Sequence, residues 1–251
     1  MGIRCMVRPE DGAVSLLVDP ENMLRADFEL TAYETENHKP SKSAKSKFFK
    51  LQKVYWEGIL AYWAVLLFFF IATPRKLFSI NWLMEGAARA GLILDGEWWR
   101  TITAMTLHVD SPHLLSNLVF GTFIFYVLCQ VAGSGVTWLA ILVLGAVGNF
   151  ANALIHLPTH TSIGASTAVF AAVGLLTGLR QDWRAWGRNF QLNDWAPLGA
   201  GFILLAFLGF GGDGRTDIFA HVLGFASGLI GGWYASRFDL DWLSSAKAQR
   251  L

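Results

Sequence analysis

From Ser111 to Leu179 the chain carries no Asp, Glu, Lys or Arg. A helix at a water-exposed surface needs a charged or polar face, so a run of this length has no place in an ordinary soluble domain. A bilayer accepts it: at about 20 residues per helical span it holds three crossings. The breaks are legible, because "AGSG" at Ala132–Gly135 and "HLPTHTSIG" at His156–Gly164 interrupt the apolar pattern with Gly, Pro and small polar residues. One apolar run precedes it, Val54–Thr73, with the single acid Glu57 near its start, and two follow, Trp195–Gly212 and Ile218–Ser236. The pattern predicts an all-α membrane protein with six transmembrane helices. Composition agrees: 53% of the 251 residues are hydrophobic and 16% charged, too little charge to cover a soluble surface. A net charge of +1, without any basic groove laced with aromatics, argues against a nucleic-acid partner.

Lysine and arginine set the expected orientation. Lys39, Lys42, Lys45, Lys47, Lys50 and Lys53 precede the first span, Arg180, Arg184 and Arg188 lie between the fourth and fifth, and Arg237, Lys247 and Arg250 follow the sixth. Six crossings place these clusters and both termini in the cytosol, and the pattern points to a bacterial plasma membrane. Arg75, Lys76, Arg89 and Arg100 fall in the outer loop and weaken the bias without reversing it. Residues 1–53 read as a cytosolic extension ending in a basic tether, 54–236 as the membrane domain and 237–251 as a cytosolic tail. Within the extension, "AVSLLVD" and "ADFELTAYE" are short strand or helix candidates, and no signal-peptide core is present. The outer loop, Pro74 to Asp110, is rich in Trp and Leu, which suits short helices lying in the interface with Trp82, Trp98 and Trp99 at headgroup level. Cys5 and Cys129, both placed at or near the cytosol, imply no disulfide.

Polar groups inside spans are expensive and are functional candidates by default. His113 and Asn117 lie four residues apart on one face of the second span, Ser166 opens the fourth, and His221 lies in the sixth. Helical rise puts Ser166 roughly 21 Å above the cytosolic boundary, and His221 and Asn117 roughly 24 Å above it. Three separate helices thus deliver polar side chains to one level. A serine becomes a nucleophile when a neighbouring imidazole takes its proton, and the oxyanion formed on the attacked carbonyl needs placed donors. Asn117, His113 and the Ser166 amide at its helix start are the candidate donors, while Gly164 permits a sharp turn beside the serine. Phe170, Gly174 and Gly178 extend a stripe from Ser166, and Gly224, Gly228, Gly231 and Gly232 recur below His221. Small residues at such spacing let two membrane helices approach closely.

"WWR", "HVDSPHLLSN", "GAS-x-x-x-F" and "AHVLGFASG" together resemble, in order and spacing, the signature regions of the rhomboid intramembrane serine proteases, over roughly Trp98 to Ser236. The resemblance implies a six-helix rhomboid-like bundle with an interfacial outer loop, and an endopeptidase that cleaves transmembrane helices of single-span substrates near their outer end. It implies Ser166 as nucleophile, His221 as base, and His113 and Asn117 with the Ser166 amide around the oxyanion. His108, Gly164, Phe170 and Gly224 would support the site, and Trp99-Arg100 matches a Trp-Arg pair of the outer loop. No cofactor and no metal are expected. Two departures stand out: Thr167 occupies the last position of the family's Gly-x-Ser-Gly tetrad, and "LCQVAGSG" lacks the family's acid after the second span.

Other readings compete. A catalytically inactive rhomboid-like binder of membrane helices would keep the fold without the reaction. A metal enzyme or transporter would use His108, His113, His156, His160 and His221, yet the chain has neither a His-Glu-x-x-His helix nor an evident inverted repeat. Asn149, Asn152 and His156 read as interhelical hydrogen-bonding groups, Asp217 as a first-turn acid, Arg100 as a brace of the outer loop, and Ser116 and Ser162 as lesser nucleophile candidates.

Overall fold

The computed structural model describes residues 3–10, 13–36, 52–180, 199, 201, 203 and 217–237. The chain divides into two compact units, Met1–Phe49 and Lys50–Leu251. In the first, β1 (Cys5–Glu10) pairs antiparallel with β2 (Ala13–Val18), Cys5 opposite Val18 and Glu10 opposite Ala13. Helix α1 (Met23–Glu36) follows. Leu16 and Val18 of the hairpin share a cleft with Met23, Ala26, Leu30 and Tyr33 of the helix. "AVSLLVD" is therefore the second strand and "ADFELTAYE" is helical; β1 has no counterpart among the sequence candidates, and its Pro9 is a residue confined to edge strands.

The second unit is an all-α membrane fold, and the protein is an integral multi-pass membrane protein. Among the described residues, four helices are long and apolar enough to span: α2 (Trp56–Arg75), α6 (Ser111–Ala132), α7 (Ser134–Ile155) and α9 (Ile218–Ala235). A fifth, α8 (Ser166–Arg180), is shorter, with an apolar stretch over Ser166–Leu179. The expected span Trp195–Gly212 lies almost wholly outside the described residues. Between α2 and α6 the outer loop forms α3 (Trp82–Gly86), α4 (Ala90–Leu94) and α5 (Arg100–Thr103). A two-residue pairing of β3 (Ala88–Arg89) with β4 (Thr161–Ser162) ties this loop to the segment leading into α8.

Local chemistry fixes the helix ends that matter. The Asp110 carboxylate accepts the His113 amide at 2.8 Å and Pro112 occupies the first turn, so α6 starts at Ser111. Asp217 caps α9 in the same way through the Ala220 amide at 3.0 Å. Apolar side chains left exposed on α2, α6 and α7, such as Leu60, Ile71, Val119, Phe123, Val143 and Phe150, face outward to lipid rather than water.

Helix α8 is the centre of the unit. Thr167 through Leu175 are all buried, and Phe170, Val173 and Leu175 pack with Ile124, Phe125, Leu128, Ile141 and Phe225. Glycines let α9 approach it at backbone distance. A Cβ on Gly174 or Gly178 would run into the carbonyl oxygen of Phe225 or Leu229, and one on Gly224, Gly228 or Gly232 into that of Thr167, Ala171 or Leu175. The seam is thus drawn from both helices, as small residues permit in a membrane. Gly231 is different: it faces the Leu144 side chain of α7.

Candidate active site

The seam ends at a polar pair. Ser166 Oγ lies 2.8 Å from His221 Nε2, across the N-terminal turns of α8 and α9. With Nε2 unprotonated, the serine hydroxyl donates to it, the arrangement that general-base activation requires. His221 is 6% exposed, and the Phe170 ring lies 4.5 Å away, one turn below the serine, so the imidazole is backed by an aromatic face. Ser166 is half-buried at the mouth of a helix that is buried from Thr167 through Leu175.

The turn into α8 leaves room beside the serine. Gly164 has φ +126°, a conformation that L side chains rarely adopt, and its amide donates to the Ala104 carbonyl at 2.9 Å, pinning the turn to the outer loop. A Cβ on Gly164 would stand 2.6 and 2.7 Å from Cε1 and Nε2 of His113 and 3.6 Å from Ser166 Oγ. The space vacated by this missing side chain is therefore shared by the His113 ring and the serine hydroxyl.

His108 and Asn117 form a buried layer under that space. The Asn117 side-chain amide donates to His108 Nε2 at 3.1 Å and to the His113 carbonyl at 3.1 Å, and the Ala165 amide donates to the same His108 nitrogen at 3.4 Å. An Nε2 that accepts must be unprotonated. Burial, reinforced by the neighbouring His113, lowers the His108 pKa to about 4 despite opposing contributions from Thr106 and Asp110, so the ring is neutral near pH 7. The Tyr62 hydroxyl donates to the Asn117 backbone carbonyl at 2.8 Å, anchoring α2 to this layer. Both hydrogens of the Asn117 amide thus have protein acceptors in this state, and an oxyanion would have to compete for one of them.

Thr167 has a physical account. It is 2% exposed, and its methyl carbon stands 3.0 Å from where a Cβ of Gly148 would lie and 3.1 Å from that of Gly224. The extra bulk at the tetrad's last position sits in a notch made by glycines on α7 and α9.

The remaining polar candidates lie elsewhere. Asn149 donates to the Thr101 carbonyl at 2.8 Å, and Asn152 donates to the Asp217 carboxylate at 2.7 Å. Arg100, 4% exposed, pairs with Glu97 and donates to the carbonyls of Met84 and Ala87 at 2.8 and 3.2 Å, bracing the loop. Trp98 and Trp99 are exposed, whereas Trp82 packs on Phe69. The five histidines among the described residues separate into two groups: His108, His113 and His221 around Ser166, and His156 stacked on His160 at 3.9 Å. Sequence reasoning missed Tyr62, the Ala165 amide and Gly148. Only Gly148 carried a signal, since Gly145 and Gly148 in "LGAVG" form a small-residue notch on α7.

Comparison with known proteins identifies the family. Residues 95–238, more than half of the chain, match the model of the Rhomboid domain. The chain is 30% identical over 156 residues to Rhomboid protease GluP of Bacillus subtilis (strain 168), covering 60% of this chain and 28% of that protein. It is 30% identical over 149 residues to Rhomboid-like protease 3 of Toxoplasma gondii, covering 59% and 55%, and 42% identical over 97 residues to RHOMBOID-like protein 9, chloroplastic, of Arabidopsis thaliana, covering 37% and 21%. The chain therefore spans from about a fifth to about half of the length of these relatives. With a matched domain running from the outer loop through the helix that carries His221, the chain belongs to the rhomboid family.

Proposed function

We propose that the protein is an intramembrane serine endopeptidase that cleaves transmembrane helices of single-span membrane proteins near their outer end. The observation that carries this reading is the 2.8 Å pair of Ser166 and His221 at the mouth of a glycine-sealed helix seam. Relatives named as proteases support the reaction class. Ser166 attacks the scissile carbonyl as His221 takes its proton, and His221 then protonates the leaving amine. The Ser166 amide, His113 and Asn117 donate to the oxyanion, Asn117 by yielding one of its present acceptors. Water hydrolyses the acyl-enzyme with His221 again as base. Lysine and arginine placement supports cytosolic termini in a bacterial plasma membrane.

The test is cleavage of single-span reporters by wild type, Ser166→Ala and His221→Ala, with labelling by a fluorophosphonate probe. Wild type cleaves and is labelled; both variants stay folded and lose cleavage, and Ser166→Ala loses the label. Asn117→Ala should slow cleavage on the order of tenfold or more. Cleavage at the wild-type rate in Ser166→Ala would discard the assignment, and a wild type that neither cleaves nor labels would leave a helix binder.

A further inference from the structure

We propose that His156, His160 and Asp217 form a binding site for a divalent transition-metal ion of the zinc type, at the edge of the membrane unit and separate from the Ser166 layer. The ligand atoms these residues offer lie within 4.8 Å of one another. Two imidazoles and a carboxylate make a donor set that suits zinc and its neighbours and leaves a coordination position for water. Zinc–ligand bonds of about 2.0–2.1 Å in a tetrahedron hold ligand atoms roughly 3.3 Å apart. His160 Nε2 and Asp217 Oδ2 are 2.8 Å apart and the His156 ring is stacked on His160 at 3.9 Å, so taking up an ion requires this pair to spread and His156 to swing out of the stack.

The surrounding contacts resemble the supports a metal site needs. His156 Nδ1 lies 2.9 Å from the Asn152 carbonyl; donating to it sets the tautomer that leaves Nε2 as the ligand atom. Asp217 is oriented by Asn152 on Oδ2 and by the Ala220 amide on Oδ1. The side chains of His160 and Asp217 are 27% and 16% exposed, so an ion can enter from the aqueous side.

The site has a structural consequence. His156 and His160 belong to the loop after α7, whereas Asp217 caps α9 one turn before His221. An ion here cross-links that loop to the helix bearing the imidazole, without touching either proposed reacting group.

The experiment uses the full chain in detergent, purified without a polyhistidine tag, and titrates Zn2+ and, as a spectroscopic probe, Co2+. One ion per chain should bind, with Co2+ developing visible absorption of nitrogen and oxygen ligation, and Zn2+ should raise the Tm by several degrees. His156→Gln, His160→Gln and Asp217→Asn should each weaken binding by about tenfold or more and abolish the Tm rise. Asp217→Asn keeps a capping oxygen and His156→Gln leaves the His160–Asp217 pair, so both variants should fold. His221→Ala and His113→Ala should bind as wild type does. No saturable binding below about 0.1 mM Zn2+, or binding lost in His221→Ala and kept in His160→Gln, overturns the proposal. Because the readouts are binding and Tm, the result is independent of whether the chain cleaves substrates.

Discussion

Gly224→Ala tests whether the close approach of α8 and α9 sets the Ser166–His221 geometry. Gly224 lies one turn beyond His221, and the backbone it faces is Thr167, next to Ser166. An added Cβ would stand 3.1 Å from the Thr167 methyl and 3.2 Å from its carbonyl carbon, with the carbonyl oxygen closer still. The methyl can yield by rotation, but the oxygen belongs to a buried helix backbone. Restoring an ordinary carbon–oxygen contact of ~3.4 Å moves the two helices apart by about 1 Å at this level. A hydrogen bond of 2.8 Å stretched by that amount is no longer one. A misplacement near 1 Å at reacting groups costs on the order of 100-fold in rate, and overpacking costs about 1–3 kcal/mol in stability. Gly231→Ala is the control, because its Cβ meets only the flexible end of Leu144 at 3.0 and 3.1 Å. Reporter cleavage, fluorophosphonate labelling and thermal unfolding should show Gly224→Ala folded but crippled and Gly231→Ala near wild type. A Gly224→Ala protein cleaving at the wild-type rate would refute the reasoning. So would equal losses in both variants.

Gly164→Ala should abolish labelling at Ser166 while most of the Tm survives, because the new methyl invades the His113 ring and forces φ +126° on an alanine; normal labelling would show the space is not used. His108 contributes a pH dependence to stability. Its folded pKa of about 4 lies below the ordinary 6.5, so the unfolded chain binds more protons between these values, and stability present above pH 6.5 is lost as pH falls toward 4. The loss is on the order of 3 kcal/mol at the acid end, and a His108→Gln slope as steep as wild type in thermal unfolding against pH would contradict it. Arg100→Lys should lower the Tm by several degrees, since an ammonium cannot serve Glu97 and two carbonyls as the planar fork does; an unchanged Tm would mean the brace is dispensable.

The helices were legible because their signals are local. Asp110-Ser-Pro starts α6, Gly133 ends it, and Gly164 precedes α8, each through a cap or a backbone preference visible in a few residues. The α8–α9 seam was also legible as a glycine stripe, although its register was not: Gly231 and Gly232 are neighbours in sequence, and only Gly232 faces α8. What pattern reading could not reach depends on rotamers and long-range partners. Asn117 reads as an oxyanion donor by spacing, but which acceptors its amide meets is set by His108, which lies in the loop before its helix. Asp217 reads as a cap from its place in the chain, while its contacts with Asn152 and His160 arise only when the ends of α7 and α9 meet. Thr167 looked like a simple departure because its compensating glycine, Gly148, lies on another helix. The strand Cys5–Glu10 escaped notice because Pro9 weakens its pattern.

The height of α8 carries a last consequence. Its apolar stretch, Ser166–Leu179, rises about 21 Å, whereas a bilayer's hydrocarbon slab measures about 30 Å. The 22-residue helices α6 and α7 beside it rise about 33 Å, enough to wall off lipid for the full depth. With the cytosolic ends of these helices level, Ser166 stands roughly 10 Å below the outer ends of α6 and α7 by the same helical rise. Under the proposed function, that depth would keep the serine within reach of water, and hydrolysis would need no dedicated conduit for its second substrate.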